Sequence, residues 1–119
     1  MKKRKKRSTL TNKLDKLISE IVRSRGSCAW CGNNKYELLQ CCHIFSRNNR
    51  QVRWDRLNLL CLCSGCHFRA HAEPTEFAEF VKEYLGEQKY IELRHRANGT
   101  KVWAGYELEE LIAALQKEI

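Results

Sequence analysis

The chain has 119 residues, a mass of 14.0 kDa, 43% hydrophobic residues and a formal net charge of +8. This length predicts one small domain with a thin core, for which a metal ion would be a plausible additional cross-link. No segment approaches the roughly 20 apolar residues that cross a bilayer, and no apolar stretch follows the basic N-terminus. We therefore expect a cytoplasmic protein with no role in the membrane.

The charge is distributed unevenly along the chain. Residues 1–60 carry 15 Lys and Arg against 4 Asp and Glu, whereas residues 61–119 carry 7 against 10. A strongly basic half beside a mildly acidic half indicates that a polyanion binds across one face. Charge alone does not separate DNA from RNA, or either from an anionic membrane.

The N-terminal part is predicted to be a tail followed by a helix. Residues 1–9 include six consecutive basic residues, Lys2 to Arg7, and are predicted to be disordered. From Thr11 to Arg25 the apolar residues recur with helical spacing, and Gly26 provides a stop. The stripe consists of Leu14, Leu17, Ile18, Ile21 and Val22.

The middle of the chain predicts an irregular β-hairpin followed by a helix. Residues 27–34 contain a tight turn, and two apolar segments at 38–45 and 57–62 flank the polar loop 46–56. A short helix is predicted to follow, through about His71.

The C-terminal part, residues 73–119, is predicted to be helical, with helices at about 74–85, 87–96 and 105–118. The predicted fold class is therefore α+β. A small zinc-bound β-hairpin–helix core at 27–72 is flanked by N- and C-terminal helices, within a single domain at 10–119.

Two CxxC pairs, Cys28/Cys31 and Cys63/Cys66, are separated by a hairpin-sized insert. Four thiolates from two turns match a closed tetrahedral structural zinc site, and a reducing compartment favours metal over disulfides. Buried reduced cysteines would explain their abundance but not the two spacings. Cys61 is an alternative ligand to Cys63. Cys41 and Cys42 are predicted to be core residues.

Three of the four histidines lie beside these cysteine motifs. His43 ends the first apolar segment, and His67 directly follows the last CxxC cysteine. His67 and His71 are spaced i, i+4, so a helix would project both rings from one face, as a metal pair requires. His95 has no such neighbours and is predicted to be structural.

The order Cys42-His43-Ile44, Asn58-Leu59 and Leu62-Cys63-Ser64-Gly65-Cys66-His67 resembles the HNH (His-Me finger) endonucleases, particularly small phage and prophage members with zinc ribbons. The resemblance covers residues 28–71. It implies that His43 is the general base, that Asn58 braces the hairpin, and that His67, with His71 as a second ligand, binds a catalytic divalent ion.

The chain departs from this family at Cys42. Many members have Asp or His before the catalytic histidine as a further metal ligand, and a thiolate is a poor ligand for Mg²⁺ but a good one for Zn²⁺. We expect fewer protein ligands, with His67, His71 and phosphate oxygens around an ion that is Mg²⁺, Mn²⁺, Ni²⁺ or Zn²⁺.

Four arginines recur at every third position between His43 and Asn58. With only Asp55 opposing them, they predict a clamp on the phosphate backbone of DNA, while Trp54 is expected to anchor the loop in the core. The four are Arg47, Arg50, Arg53 and Arg56.

The sequence thus predicts a metal-dependent endonuclease that hydrolyses DNA phosphodiester bonds in phage or prophage DNA metabolism, acting in the bacterial cytoplasm. One alternative is a zinc module that binds nucleic acid without catalysis. Another is a nuclease specific for branched DNA, which a homodimer would favour. Neither a substrate structure nor a dimer is specified by the residues.

Overall fold

The computed structural model describes residues 6–119, and within this range it contains five α-helices and a two-stranded antiparallel sheet. Short 3₁₀ turns precede both strands. This mixture of helix and sheet confirms the α+β class. In chain order the elements are α1 (Arg7–Arg23), β1 (Leu39–His43), β2 (Leu59–Cys63), α2 (Ser64–Ala72), α3 (Pro74–Leu85), α4 (Glu87–Ala97) and α5 (Gly105–Gln116).

Helix α1 begins earlier than its apolar stripe predicts. The expected disordered tail included residues 7–9, but these form the first turn of α1, while residues 1–5 lie outside the described part of the chain. Tertiary contacts explain the correction, because Leu10 is buried and Arg7 Nη2 donates to the carbonyl oxygen of Trp103 at 2.7 Å. Packing therefore extends the helix into a segment whose composition favours disorder.

The β-hairpin is short and one of its strands is completely buried. Residues 39–43 pair antiparallel with residues 59–63, and His43 stands opposite Leu59 at the end next to the loop. All five residues of β2 are buried, whereas β1 alternates between buried and more accessible positions. The hairpin therefore presents one side of β1 to a cleft while β2 lies in the core.

The helices pack around this hairpin. Helix α1 contacts α5 and both strands, α2 lies against the hairpin and α3, and α3 contacts α4. Pro74 opens α3 as predicted, and Gly86, with a φ of +79°, allows the sharp change of direction between α3 and α4. Among the described residues, none of the helices is long and apolar enough to cross a bilayer.

The loop at 44–58 is held on both sides. Val52 forms a small second core with Leu93 and Ala97 of α4, and Asn49 Nδ2 donates to the carbonyl oxygen of Ala97 at 3.0 Å. Trp54 is buried in the main core, as expected of an anchor. This polar segment therefore has a defined path between α1 and α4.

Candidate functional site

The four cysteines of the two CxxC pairs form one cluster. Their sulfur atoms all lie within 4.8 Å of one another, and Cys31 Sγ is 3.6 Å from Cys63 Sγ. Zn–S bonds of about 2.3 Å place the sulfurs of a tetrahedral site about 3.8 Å apart. The cluster can therefore hold a structural metal such as zinc.

Both pairs adopt the same local turn. The backbone N–H of Cys31 donates to Cys28 Sγ, and that of Cys66 donates to Cys63 Sγ, each at 3.5 Å. Gly32 follows the first pair with a φ of +80°, a conformation that favours glycine. The first turn thus resembles the second, although one lies in a loop and the other joins β2 to α2.

The protonation of the cluster depends on a cation. Burial would raise the pKa of Cys28, but backbone N–H groups outweigh it and lower that pKa to about 7. Burial and the neighbouring thiols raise the pKa of Cys66. Since adjacent thiolates repel one another, all four ionise together only when a metal ion compensates their charge.

The other three cysteines lie outside this cluster. Cys61, the alternative to Cys63, is buried in β2, where its carbonyl oxygen accepts from Ala29 N–H at 2.7 Å. Cys42 is buried as predicted, and burial raises the pKa of its thiol to about 12. Cys41 differs from the prediction, since it is only partly buried and lines the cleft.

An open cleft of about 840 Å³ brings four of the predicted site residues together, namely three histidines and Arg47. His43 comes from the end of β1, and His67 and His71 come from α2. His95 lines a different cavity beside Trp103, away from this group. The structure therefore places the three histidines that the sequence singled out in one cleft.

The hydrogen bond of His43 defines its free nitrogen. Its Nε2 lies 3.0 Å from the carbonyl oxygen of Arg53, and because a carbonyl only accepts, Nε2 carries the proton. Nδ1 is then the basic nitrogen of the neutral ring. Burial lowers the pKa of His43 below its usual 6.5, so the ring is neutral at pH 7.

His67 has the opposite arrangement. Its Nδ1 donates to Oε1 of Gln40 at 2.7 Å, which leaves Nε2 as the free nitrogen. The ring centroids of His67 and His71 are 5.2 Å apart. Burial and the neighbouring His71 lower the pKa of His67, which favours the neutral imidazole that metals bind. Nothing in the sequence pattern indicated Gln40.

Asn58 is completely buried behind His43. Its Oδ1 accepts from Phe45 N–H at 2.7 Å, and its Nδ2 donates to the carbonyl oxygens of Phe45 and Val52, both at 3.1 Å. One side chain therefore joins the two ends of the loop. The bracing role that the family resemblance implies for Asn58 stays a prediction.

The four loop arginines are not equivalent. Arg47 is exposed and lines the cleft, with its Nη2 3.7 Å from Asp15 Oδ2. Arg50 Nη1 lies 3.5 Å from Thr11 Oγ1. Arg53 is buried and paired with Asp15, and Arg56 is paired with Glu118. Of the four arginines predicted to clamp DNA, Arg47 alone lines the cleft, and the clamp itself stays a prediction.

The opposite wall of the cleft is a face of α1. It presents Asp15, Lys16, Ser19, Glu20 and Arg23, spaced as one side of a helix. Sequence reasoning used only the apolar stripe of this helix. The polar face was visible as helical spacing, but no local signal shows that it faces the histidines.

No family model matches the sequence, and no curated protein or solved structure is significantly similar to the chain. The chemistry of the cleft is accordingly inferred from the side chains that line it.

Replacing Cys28 by Ser is expected to remove zinc and destabilise the fold. Purified parent protein should contain one zinc ion per chain, and the variant should contain none and melt about 10 °C lower or more. Metal analysis and thermal unfolding measure both. Cys61→Ser is the matched control and should retain the zinc, so loss of zinc in that variant would place Cys61 among the ligands.

Asn58→Ala is expected to lower the free energy of unfolding by about 2–4 kcal/mol, because buried loop carbonyl and N–H groups lose their partner. Denaturant unfolding measures the change. Asn48→Ala, an exposed change in the same loop, should lie within about 0.5 kcal/mol of the parent. Equal stability of the two variants would contradict the bracing role.

Proposed function

We propose that this protein is a metal-dependent endonuclease of the HNH type, which hydrolyses DNA phosphodiester bonds with His43 as general base. The observation that carries the proposal is the hydrogen bond from His43 Nε2 to the Arg53 carbonyl oxygen. It leaves Nδ1 as the free, basic nitrogen of His43, a residue that lines the same cleft as His67 and His71. Nδ1 is the free nitrogen of His43, whereas Nε2 is the free nitrogen of His67. This difference suits His43 to act as a base and His67, with His71, to bind a metal ion.

His43 is suited to activate water. A water oxygen attacks phosphorus while Nδ1 takes the water proton, and the bond to the 3′ oxygen breaks to leave a 5′-phosphate. The Arg53 carbonyl stabilises the imidazolium that forms, because its oxygen accepts from Nε2–H. The lowered pKa of His43 keeps the ring unprotonated before the reaction at neutral pH.

His67 and His71 would hold the catalytic ion. Their close rings and the Gln40 contact, which leaves Nε2 of His67 free, fit a donor set of two neutral imidazoles. A divalent ion supplies charge stabilisation to the phosphate and the leaving oxygen. Two imidazoles favour Mn²⁺, Ni²⁺ or Zn²⁺ over Mg²⁺. Cys42, as a buried neutral thiol outside the cleft lining, supports a site with few protein ligands.

The four-cysteine cluster would serve as the scaffold of this site. Cys63 ends β2, Cys66 lies in the first turn of α2, and His67 follows immediately. Zinc bound there fixes the start of α2 relative to the hairpin that carries His43. The structural metal thereby determines the distance between the proposed base and the proposed metal ligands.

The DNA would be bound through its backbone. Lys16 and Arg23 of α1 and Arg47 of the loop line the same cleft as the histidines, and such side chains contact phosphates without reading bases. The cleft lining offers no row of base-reading side chains, so strong sequence specificity is not expected. A role in phage or prophage DNA metabolism follows only from the family resemblance.

His43→Ala is expected to reduce metal-dependent DNA cleavage by about 10²–10⁴-fold, because the general base is lost. Nicking of supercoiled plasmid with Mg²⁺, Mn²⁺, Ni²⁺ or Zn²⁺ measures it, with zinc content and melting temperature recorded in parallel. The same assay on linear and branched DNA distinguishes a branched-DNA nuclease.

The matched control is His95→Ala, since His95 lies outside the cleft. It should cleave at the parental rate. If the parent binds DNA but cuts none of the substrates with any of these metals, the protein is a zinc module that binds nucleic acid. If His43→Ala cuts as fast as the parent, His43 is not the base.

Arg47→Gln and Lys16→Gln are each expected to weaken DNA binding and to reduce the slope of log K against log [salt] by about 0.9, because one phosphate contact is lost. Fluorescence anisotropy between 50 and 200 mM salt measures this in a His43→Ala background, which prevents cleavage. Arg94→Gln, on α4 outside the cleft, is the control and should leave the slope unchanged. Equal slopes for all variants would place the DNA elsewhere.

A further inference from the structure

We infer that Asp15 of α1 is a positioning residue for His43, acting through Arg53. The inference rests on the proposed function, because it concerns the residue proposed as the base. It identifies a specific carboxylate, distant in sequence from the hairpin, that determines whether His43 presents the correct ring nitrogen.

The acceptor of the His43 hydrogen bond is a loop carbonyl. Nε2–H donates to the backbone carbonyl of Arg53, which lies in a loop and not in the sheet. A loop carbonyl holds its direction only when the surrounding chain is fixed. The orientation of the His43 ring therefore depends on what fixes Arg53.

The side chain of Arg53 is buried, with a relative exposure of 9%. Its Nε donates to Asp15 Oδ1 at 3.1 Å and its Nη2 to Oδ2 at 2.7 Å, so the pair is bidentate. Its Nη1 donates to the carbonyl oxygen of Arg47 at 3.2 Å. The guanidinium thus joins α1 to two points of the loop.

Asp15 also accepts a hydrogen bond from Trp54 Nε1 at 2.9 Å, so one carboxylate holds two consecutive loop side chains. Its neighbour Leu14 is fully buried in α1, which makes the helix a rigid support. Burial would raise the pKa of Asp15, but the bonds from Arg53 and Trp54 outweigh it and lower that pKa, which keeps the carboxylate charged.

Removing the charge would loosen this arrangement. In Asp15→Asn an amide group replaces one acceptor oxygen, so the buried guanidinium loses a partner and its counter-charge. The Arg53 carbonyl is then no longer fixed against Nε2–H of His43. The ring gains freedom, and the basic Nδ1 spends less time in the reactive orientation. The same change releases Arg47, whose Nη2 lies 3.7 Å from Asp15 Oδ2, so its contact with phosphate is not weakened.

The experiment compares Asp15→Asn with the parent in two measurements on the full-length, zinc-loaded protein. In ¹H–¹⁵N NMR spectra without DNA or added divalent metal, the Nε2–H proton of His43 should exchange with water at least about 10-fold faster in the variant, because its hydrogen bond opens more often. In plasmid nicking, kcat should fall about 10- to 100-fold while KM rises by no more than about 3-fold, as for other residues that orient a functional group.

Arg53→Lys provides a second variant, because Asp15→Asn can also lower stability. It keeps the positive charge but loses the bidentate geometry, and it should show the same faster exchange and lower kcat. Arg96→Lys is the control, since Arg96 also pairs with a loop carboxylate, its Nη1 donating to both oxygens of Asp55 outside the cleft. It should change neither measurement.

Unchanged Nε2–H exchange in both folded variants would overturn the inference, whatever their cleavage rates. Faster exchange with an unchanged kcat would also overturn it, because the contact would then be purely structural. A parent protein that cuts no DNA would overturn the proposed function separately, since the exchange measurement requires no activity.

Discussion

The constraint on which the site depends is the convergence of four thiols from the turn after α1, the end of β2 and the start of α2. A 119-residue chain has a thin core, and Cys28, Cys63 and Cys66 all belong to its main cluster. A metal ion held by the thiols would fix the first turn of α2 against the hairpin. His67 follows Cys66 directly, so its place relative to His43 is largely a consequence of that cluster.

A second constraint fixes the other side of the cleft without a metal. Asn58 closes the loop on itself through three backbone hydrogen bonds, and Asp15 holds the loop to α1 through Arg53 and Trp54. Val52 attaches the same loop to α4 through a small apolar core. The long connection between β1 and β2 therefore behaves as a rigid element, and its Arg53 carbonyl can orient His43. Polar networks of this kind are stabilising only when every buried member has a partner.

The sequence predicted the parts of this arrangement that depend on local spacing. The CxxC pairs, the i, i+4 histidines, the amphipathic helices and the hairpin all follow from short-range periodicity, and the structure contains each of them. The partners of these groups could not be predicted in the same way. Gln40 and Asp15 meet His67 and Arg53 across 27 and 38 positions of sequence, and only the packed fold brings them together. The predicted start of α1 is also wrong, because the hydrogen bond from Arg7 to Trp103 outweighs the local preference for disorder.

Counting charges in the sequence overestimates how many of the loop arginines are free to bind a polyanion. The basic half of the sequence suggested four free cations, yet Arg53 is neutralised by Asp15 and Arg56 by Glu118. A paired arginine adds little to the long-range field that attracts a polyanion, whereas an unpaired one beside a cleft adds most of its charge. Arg47, Lys16 and Arg23 line the cleft together with Asp15 and Glu20, and Arg47 Nη2 lies 3.7 Å from Asp15 Oδ2, so the excess of positive charge beside the histidines is small. Under the proposed function, the buried Arg53 then serves to orient the base, while the exposed cations bind the DNA.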